Sequence, residues 1–394
     1  MSVKDKKIVI VGGGPAGLFC AYLLLDKGYQ VDLYDQSSGL AKKFLVAGKG
    51  GLNLTHSENL ESFQNRYTHN EEFFGELIRE FSPNDLRLFC EKLGVETFVG
   101  TSGRVFPKKL KAAQMLLNWQ ELLHSFSGFS LYKNHSLVDL DSNKKLTFKH
   151  ADELIEVRSE DIVLALGGGS WKKTGSDGKW IEFISKLGID IAPIRAMNCG
   201  FEIDWSDVFK QKTERAHLKN IAINFSGKKV RGEVMLTPYG IEGGAIYALS
   251  NFIRDKIENE GQAKISIDLK PDLDLDSIQK KIAMRKLKES VSSFLKKSLK
   301  FDSATINLIF ENRDVELSDR IKNCELVLRG TRPMDEAIST SGGVKFSELT
   351  ELLEAKKVPG LYFIGEMLDF EAPTGGYLLQ GCFSTAFRVS KNFS

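Results

Sequence analysis

A glycine-rich turn near the start of the sequence has the residues needed to hold a pyrophosphate. It runs from Gly12 to Gly17, reads GGGPAG and follows a short apolar run. Gly12 permits a tight turn, Gly14 lets the backbone approach phosphate oxygens, and Gly17 allows a helix to pack closely on a strand. Asp35 lies 18 residues after Gly17, where a carboxylate accepts hydrogen bonds from an adenosine ribose and repels a 2′-phosphate. The spacing predicts a site for a dinucleotide that lacks a 2′-phosphate.

Two later segments are typical of backbone that approaches a flat ring system. Residues 164–178 read LALGGGS and, after a short spacer, TGSDG; residues 360–377 begin with GLYFIGEMLD and end with TGGY. Each combines an apolar strand pattern with glycines, which allow the main chain to come close. The second precedes a helical tail whose N-terminus can face the polar edge of a ring. Both resemble flavin motifs of glutathione-reductase-like enzymes, and this resemblance favours FAD over NAD.

The loop at residues 37–56 carries the candidate polar contacts. Lys43 could neutralise a pyrophosphate or face an anionic substrate, and the alternative is a solvated lysine. Asn53 could offer its amide to the flavin edge, or simply form a turn. His56 is a candidate acid–base residue because imidazole titrates near neutrality, although a polar loop histidine is more often a surface residue. The other basic candidates near these motifs are Lys42, Lys49 and Arg104.

Over nearly its whole length the sequence resembles the BaiN-like, or aminoacetone-oxidase-like, family of bacterial FAD-binding flavoproteins. Beside the flavin motifs, the resemblance rests on residues 102–107 (SGRVFP), 111–113 (KAA), 232–244 (GEVMLTPYGIEGG) and 341–344 (SGGV). One loop departs from the broad family. Residues 47–56 read AGKGGLNLTH, where that family has a loop of the type Ser-Gly-Gly-Gly-Arg-Cys-Asn. We therefore expect a narrower subgroup.

The resemblance implies non-covalent FAD and a set of contact residues. Glu366 and Asp369 flank the terminal motif, whose backbone would meet the flavin or the ribityl chain; helix capping is the alternative role for Asp369. The residues expected to contact FAD are Gly12, Gly14, Pro15, Ala16, Gly17, Asp35, Gln36, Lys43, Asn53, Leu137, Ala165, Gly167, Gly365, Glu366, Asp369, Gly375, Gly376 and Tyr377. Arg104, Tyr239 and Glu242 are assigned to the substrate. No catalytic acid or base and no metal ligand is assigned.

Composition sets the class of protein. The chain has 394 residues, of which 42% are hydrophobic, and its 54 basic and 52 acidic residues give a formal charge of +2. This balance does not by itself indicate a nucleic-acid partner. We expect a soluble protein, since no apolar run approaches the ~20 residues of a membrane helix and no signal-peptide pattern is present. The five scattered cysteines favour reduced thiols in the cytoplasm over disulfides, a zinc site or a dithiol redox centre.

The elements that must position these motifs form an α/β fold. We predict a Rossmann-type FAD-binding domain of the glutathione-reductase kind, split in sequence between residues 1–191 and 335–394. Residues 192–334 are predicted as an inserted β-rich module with a helical subdomain at about 272–320. Within the first part, the predicted strands and helices are Lys6–Val11, Leu18–Lys27, Val31–Tyr34, Phe73–Leu93, Lys111–Phe126, a meander at Leu131–Leu140, Lys145–Lys149 and Ile155–Val157, and Asp161–Leu166.

A polar helix with a basic face is predicted from Ser277 to about Lys300. Its basic residues are Lys280, Lys281, Arg285, Lys286, Lys288, Lys296, Lys297 and Lys300, and Ile278, Ile282, Leu287, Val291, Phe294 and Leu299 form a rough apolar stripe. Such a helix could bind nucleic acid or a membrane surface. The interpretation we favour is an amphipathic helix with a solvated basic face, because acids balance the basic residues elsewhere and no aromatic stacking platform accompanies it.

These features predict an FAD-dependent oxidoreductase that acts on an unidentified small substrate. The flavin would carry the electron chemistry, and the protein would supply orientation and electrostatics. No second strand–GxGxxG–helix unit follows residue 40. Either the substrate reduces the flavin, or NAD(P)H docks transiently. The alternatives are a flavin-dependent tRNA-modifying enzyme and a non-catalytic flavin-bound sensor.

The inserted module is expected to cover the flavin ring and to supply much of the substrate pocket, because pockets favour domain interfaces. Its segment Thr237–Gly244 is the best candidate for contact. The glycines permit close backbone approach, and Tyr239 offers an apolar face with a polar tip. The alternative is that these glycines turn a corner of the β-module.

Overall fold

The chain divides into two compact units, each with its own hydrophobic core. The structure, a computed structural model, describes residues 6–48, 51–108, 111–311 and 315–393. Unit 1 comprises the chain up to Arg195 and from Ser339 onwards, and unit 2 comprises Ala196–Ile338.

Unit 1 is built around a parallel sheet of five strands, in the order β19–β10–β1–β2–β6. Smaller sheets have the orders β3–β5–β4, β7–β8–β9 and β11–β18. The strands are β1 (Lys7–Val11), β2 (Gln30–Asp35), β3 (Thr55–His56), β4 (Thr97–Val99), β5 (Arg104–Pro107), β6 (Phe129–Lys133), β7 (Ser136–Leu140), β8 (Lys145–His150), β9 (Glu153–Arg158), β10 (Asp161–Leu164), β11 (Ile191–Met197), β18 (Ser339–Val344) and β19 (Leu361–Phe363). The helices are α1 (Pro15–Asp26), α2 (Lys42–Ala47), α3 (Leu60–Gln64), α4 (Glu71–Glu80), α5 (Pro83–Lys92), α6 (Ala112–His124), α7 (Trp180–Lys186) and α15 (Tyr377–Ser390).

The register of the parallel sheet brings three chain segments together at one edge. The last residue of β1 pairs with Tyr34 of β2 and with Leu164 of β10. Gly12 and Ala165 therefore follow neighbouring strands, and Asp35 ends the strand between β1 and β6. In α/β sheets this carboxyl edge is where ligands bind.

Unit 2 is an antiparallel sheet with helices. Its six strands have the order β12–β15–β14–β13–β16–β17. They are β12 (Phe201–Glu202), β13 (Ala216–Phe225), β14 (Lys228–Thr237), β15 (Gly240–Glu242), β16 (Ala263–Asp268) and β17 (Cys324–Leu328). The helices are α8 (Asp207–Lys212), α9 (Gly244–Tyr247), α10 (Ser250–Glu260), α11 (Leu275–Ala283), α12 (Val291–Ser298), α13 (Ser303–Glu311) and α14 (Leu317–Lys322).

Two of the predicted helices are interrupted. The helix predicted at Phe73–Leu93 is α4 and α5, because Ser82 caps α5 and Pro83, which has no backbone N–H, occupies its first position. The basic helix predicted at Ser277–Lys300 is α11 and α12. The second of these begins at a new cap, Ser290, whose hydroxyl accepts a backbone N–H.

The predicted strand at Leu131–Leu140 is also two elements. Residues 129–133 form β6, which joins the parallel sheet beside β2, whereas β7 begins the antiparallel meander. Asn134, with a φ of 60°, turns the chain between them. Asparagine tolerates this left-handed conformation better than most residues, so the break is encoded locally.

All five cysteines are buried free thiols. Burial raises the pKa of Cys20 and of Cys382 to about 12, so these thiols stay protonated and are poor nucleophiles. Within the described ranges, no helix combines the length and apolar character needed to cross a membrane. The same residues contain no group of three or more His, Cys, Asp or Glu side chains arranged to hold a metal.

Candidate cofactor-binding site

The first glycine and the last glycine of the GGGPAG turn are required by the protein itself. Gly12 has a φ of 111°, and a Cβ there would lie 2.2 Å from the carbonyl oxygen of Ala165. A Cβ on Gly17 would lie 1.9 Å from the carbonyl oxygen of Gly12. These contacts allow α1 to pack directly against the ends of β1 and β10, so both positions demand glycine even without a ligand.

At position 14, neither the backbone conformation nor the packing of the protein requires glycine. Its φ of −78° suits any residue, and a Cβ there would meet no atom within 4 Å. Gly14 is the N-cap of α1, where no side chain caps the helix and no acidic residue lies in the first turn. The free backbone N–H groups and the positive helix end therefore face open space. This arrangement fits the pyrophosphate of FAD.

The carboxylate of Asp35 is fixed by the same turn. Its Oδ2 atom accepts a hydrogen bond from the backbone N–H of Gly13 (2.7 Å), and its Oδ1 atom accepts one from Ser37 (2.7 Å). Burial raises the pKa of Asp35, while these two backbone N–H groups and the charge of Lys42 oppose the rise. Each carboxylate oxygen can accept a further bond, so the side chain remains able to bind ribose hydroxyls.

These elements surround one cleft of unit 1, with about 1090 Å³ of space including its opening to solvent. Among the residues assigned to FAD from the sequence, those lining the cleft are Gly12, Gly14, Pro15, Ala16, Asp35, Gln36, Lys43, Leu137, Ala165, Gly167, Gly365 and Glu366. They come from five separated parts of the chain, and the sheet edge collects them.

An ion pair crosses this cleft. The Nζ atom of Lys43, at the start of α2, lies 2.9 and 3.0 Å from the carboxylate oxygens of Glu366 and 2.8 Å from the hydroxyl of Ser170. Glu366 also accepts the backbone N–H of Thr340 (3.1 Å). The pair is partly shielded from water, since Glu366 is 9% and Lys43 22% exposed. Lys43 is thus held at the cleft wall, where it can also face a phosphate.

Several cleft residues were missed by the sequence analysis. Phe44, His135, Trp180 and Cys382 line the cleft. The indole N–H of Trp180 donates to the carbonyl of Gly167 (2.9 Å), which anchors the second flavin-like segment. Trp180 follows that segment by two residues, a proximity that could have indicated its role; the others have no motif beside them.

One polar atom of the cleft has no hydrogen-bond partner among the described residues. The hydroxyl of Ser176 is buried and makes no hydrogen bond with the described residues. Buried hydroxyls are normally paired, so an unpaired one that lines a cleft is what a bound polar ligand would complete. Ser176 belongs to the TGSDG segment that resembles a flavin motif.

The remaining residues assigned to FAD lie away from the lining of this cleft. Gly17 is within α1, and Asn53, Asp369, Gly375, Gly376 and Tyr377 lie elsewhere in unit 1. The Oδ1 atom of Asn53 is buried without a partner among the described residues. Asp369 has a pKa raised by burial, and its carbonyl accepts the amide of Asn70. Their contact with FAD stays a prediction.

A second polar cluster surrounds the start of α15. The hydroxyl of Tyr377 donates to Glu58 (2.6 Å), which forms a two-point ion pair with Arg66. The ring of His56 stacks on Tyr377 at a centroid distance of 5.4 Å. The Nδ1 atom of His56 accepts the N–H of Glu58, so its Nε2 donates to the carbonyl of Ser102 (2.9 Å). His56 is thus a satisfied structural histidine here.

Arg104 differs from its neighbours in this cluster. It pairs through its backbone with His56, and its Nε atom would lie 3.5 Å from a Cβ on Gly375. Its guanidinium makes no hydrogen bond or ion pair with the residues that the structure describes, whereas Arg66 is neutralised by Glu58. Arg104 is therefore the cation of this cluster that is open to a ligand. Lys49, the other basic candidate of the loop, lies outside the described residues.

Tyr239 and Glu242 belong to a closed network in unit 2. The hydroxyl of Tyr239 donates to Glu242 (2.6 Å), and Arg215 pairs with the same carboxylate (2.9 Å). The guanidinium of Arg332 lies 4.1 Å from the centroid of the Tyr239 ring. A Cβ on Gly240 would lie 1.9 Å from a backbone oxygen of the neighbouring strand. Strand pairing thus accounts for this glycine, while the substrate contact of Tyr239 and Glu242 stays a prediction.

Comparison with protein families gives a match along the whole chain. A model described as HI0933-like protein Rossmann domain matches residues 6–392. A 3-dehydro-bile acid Δ(4,6)-reductase of Clostridium scindens is 26% identical, over 98% of both chains. A ribosomal RNA dihydrouridine synthase of Haemophilus influenzae is 25% identical, also over 98% of both.

Solved structures show the same fold at lower identity. A 3-ketosteroid Δ4-(5α)-dehydrogenase of Rhodococcus jostii superposes with a TM-score of 0.52 at 15% identity, covering 98% of this chain and 97% of the other. A 3-ketosteroid Δ1-dehydrogenase of Sterolibacterium denitrificans gives 0.54 at 11% identity, covering 99% of each. The fold is therefore shared with these proteins.

Proposed function

Because the chain belongs to the HI0933-like Rossmann-domain family, we propose that it reduces a carbon–carbon double bond conjugated with a carbonyl. It is an FAD-dependent oxidoreductase, as the sequence predicted, and its Rossmann-type α/β fold is also confirmed.

One observation carries the proposal. Two relatives that align over 98% of the chain are named for the addition of hydrogen across such a bond, one in a bile acid and one in a uracil ring of ribosomal RNA. In both molecules a carbonyl withdraws electrons from the double bond. This polarisation makes the distant carbon a hydride acceptor and places negative charge on the carbonyl oxygen. The shared requirements are a hydride donor for the distant carbon, a proton from solvent water for the carbon beside the carbonyl, and a cation near the carbonyl oxygen.

The residues of the chain can meet these requirements. When bound, the flavin supplies the hydride. The amide groups at the start of α1 would hold the pyrophosphate beside Gly14, and Asp35 would hold the ribose. We assign to Arg104 the binding of the substrate's carbonyl oxygen, since its guanidinium is open to a ligand and always charged.

Because the enone accepts electrons from the flavin, a separate reductant must supply them, and we propose NAD(P)H. It would dock transiently, because the sequence contains one dinucleotide-binding motif, which is assigned to FAD. A cytoplasmic location belongs to the same proposal, since nicotinamide reductants are available there and the scattered thiols suit a reducing compartment.

The experiment is an anaerobic reoxidation assay. Protein loaded with FAD is reduced, mixed with a small conjugated enone, and followed by flavin absorbance. We expect reoxidation by the enone, and none by the matched saturated ketone or by an isolated alkene. Arg104→Gln should slow reoxidation while leaving FAD affinity unchanged. Reduction of the oxidised flavin by amines, with no reoxidation by any enone or by uridine, would replace the proposal with an oxidase.

A further inference from the structure

The short sheet β3–β5–β4 of unit 1 carries a cation and two aromatic rings on one face. Arg104 pairs with His56 of β3, and Phe106 pairs with Phe98 of β4. Directly paired residues, and residues two positions apart along one strand, point to the same side of a sheet. Val105, between Arg104 and Phe106, points to the opposite side and is fully buried. The guanidinium of Arg104 and the two phenyl rings therefore share a face.

The aromatic pair on this face is in contact with water. Phe98 is 37% exposed, more than any other Phe, Tyr or Trp that the structure describes. Its ring stacks on that of Phe106, with 5.6 Å between the centroids and 25° between the planes. Phe106 is itself only partly buried. A single exposed apolar side chain is ordinary, but adjoining ones indicate a surface that a partner covers. We call Phe98 and Phe106 the phenyl platform.

Arg104 connects the phenyl platform with the residues assigned to the reaction. Its Nε atom would lie 3.5 Å from a Cβ on Gly375, in the segment that resembles a flavin motif. The α-carbons of Arg104 and Phe106 are about 7 Å apart, because an antiparallel strand rises about 3.4 Å per residue. A ligand that meets both side chains must therefore carry an oxygen acceptor at one end and an apolar ring a short, fixed distance away.

We propose that the phenyl platform selects enones that carry an aromatic ring on the distant carbon of the double bond. This inference rests on the proposed function, for which it names a substrate class and two specificity-determining residues. In benzylideneacetone only the double bond separates the carbonyl carbon from the phenyl ring, so the oxygen can meet Arg104 while the ring lies on Phe106. The double bond takes up a hydride at the carbon that bears the ring and a proton from water at the carbon beside the carbonyl, which yields benzylacetone.

The geometry of the platform favours a flat aromatic ring over a puckered saturated one. The planes of Phe98 and Phe106 are close to parallel, so a third flat ring can extend the stack. Aromatic pairs in such offset arrangements contribute roughly two- to tenfold in affinity beyond the burial of their apolar area. A cyclohexyl ring buries a similar area, but its projecting hydrogens keep it from stacking. The platform should therefore distinguish the two rings although both are apolar and of similar size.

The test compares benzylideneacetone with its analogue that has a cyclohexyl ring in place of the phenyl. Reduced, FAD-loaded protein is mixed anaerobically with each enone over a range of concentrations, and flavin absorbance gives the limiting rate and the apparent affinity. We expect Phe106→Leu and Phe98→Leu each to lower the preference for the aryl enone roughly three- to tenfold, in the apparent affinity rather than in the limiting rate. Comparing this preference between variant and parent cancels the different intrinsic reactivity of the two enones.

Val99→Ala is the matched control. Val99 follows Phe98 on the same strand and is 45% exposed, but it pairs with Val105 and so belongs to the opposite face. The preference should stay within about twofold of the parent chain. A second measurement avoids turnover: calorimetric titration of the oxidised, FAD-loaded protein with benzylacetone. Its dissociation constant should rise roughly three- to tenfold in Phe106→Leu and should be unchanged in the control.

An unchanged preference in both phenylalanine variants would overturn the inference, while reoxidation by both enones would leave the proposed reaction standing. Slower reduction of the flavin by NAD(P)H in these variants, with an unchanged preference between the enones, would assign the platform to the nicotinamide ring instead. If neither enone reoxidises the flavin, the proposed reaction fails. In that case, binding of benzylacetone that depends on Phe106 would still support recognition of the aryl ring, and its absence would overturn it.

Discussion

Gly14→Ala should separate cofactor binding from folding. Its backbone already has a φ of −78° and a ψ of 178°, which alanine adopts without strain, and the added methyl group would meet no protein atom within 4 Å. The same change at Gly17 would place a Cβ 1.9 Å from a backbone oxygen. The two variants therefore carry the same chemical change into sites with opposite packing.

The expected magnitudes differ accordingly. At Gly14, the entropy lost from the unfolded chain stabilises the protein by about 0.4–1 kcal/mol, and the poorer cap costs a few tenths, so the apoprotein should change by less than about 1 kcal/mol. A methyl group between the helix end and a phosphate would disrupt charge-assisted hydrogen bonds worth about 1.5–3 kcal/mol. FAD affinity should fall roughly ten- to hundredfold. Gly17→Ala should instead destabilise the apoprotein by about 1–3 kcal/mol.

Two measurements check this reasoning. Thermal or urea unfolding of the apoprotein reports folding, and titration with FAD followed by flavin fluorescence reports affinity. The reasoning is refuted if Gly14→Ala binds FAD as tightly as the parent chain, because the pyrophosphate then does not approach this glycine. It is also refuted if the apoprotein of Gly14→Ala unfolds as readily as that of Gly17→Ala.

Three further outcomes are expected. Asp35→Ala should weaken FAD binding ten- to hundredfold, by about 1.5–3 kcal/mol. Burial raises the pKa of Asp35, so FAD affinity of the parent chain should be constant at higher pH and should fall as the pH drops through that raised pKa. FAD titrations at several pH values should show this dependence in the parent chain and not in Asp35→Ala. Lys43→Met should destabilise the apoprotein by about 1–3 kcal/mol in urea unfolding, since Glu366 stays buried without its counter-ion. Glu366→Gln should lower the free energy of unfolding by less. Equal losses in the two variants would contradict the ion pair. Tyr239→Phe and Glu242→Gln should slow reoxidation of the reduced flavin by an enone in stopped-flow traces at unchanged FAD affinity. Unchanged reoxidation rates in both variants would make this loop structural.

The nucleotide-binding part of the fold could be predicted because its causes are local. The turn from Gly12 to Gly17 forces a strand to meet a helix, and the position of Asp35 fixes the length of the unit that returns to the sheet. The helix break at Ser82 and Pro83 is also written locally, as a cap followed by a proline. Apolar periodicity continued across it and hid the break, so pattern alone predicted one helix.

The pairing of side chains across the cleft could not be predicted in the same way. Lys43 and Glu366 are 323 residues apart, and nothing near either position indicates the other. Loop residues such as His135 reach the cleft only because β6 joins the parallel sheet beside β2. Long-range sheet order, which periodicity does not encode, therefore decided which polar residues share the site.

Glycine is evidence for a ligand only where neither its own conformation nor its neighbours require it. Gly240 fails this condition, because a strand oxygen 1.9 Å from its missing Cβ already demands glycine. Gly240 therefore does not distinguish the Tyr239 loop from an ordinary sheet corner. Gly14 meets the condition, since its φ of −78° suits any residue and a Cβ there would meet no atom within 4 Å. A residue with no structural reason to be glycine, at an uncapped helix end that lines a cleft, is best explained by the molecule that the cleft binds.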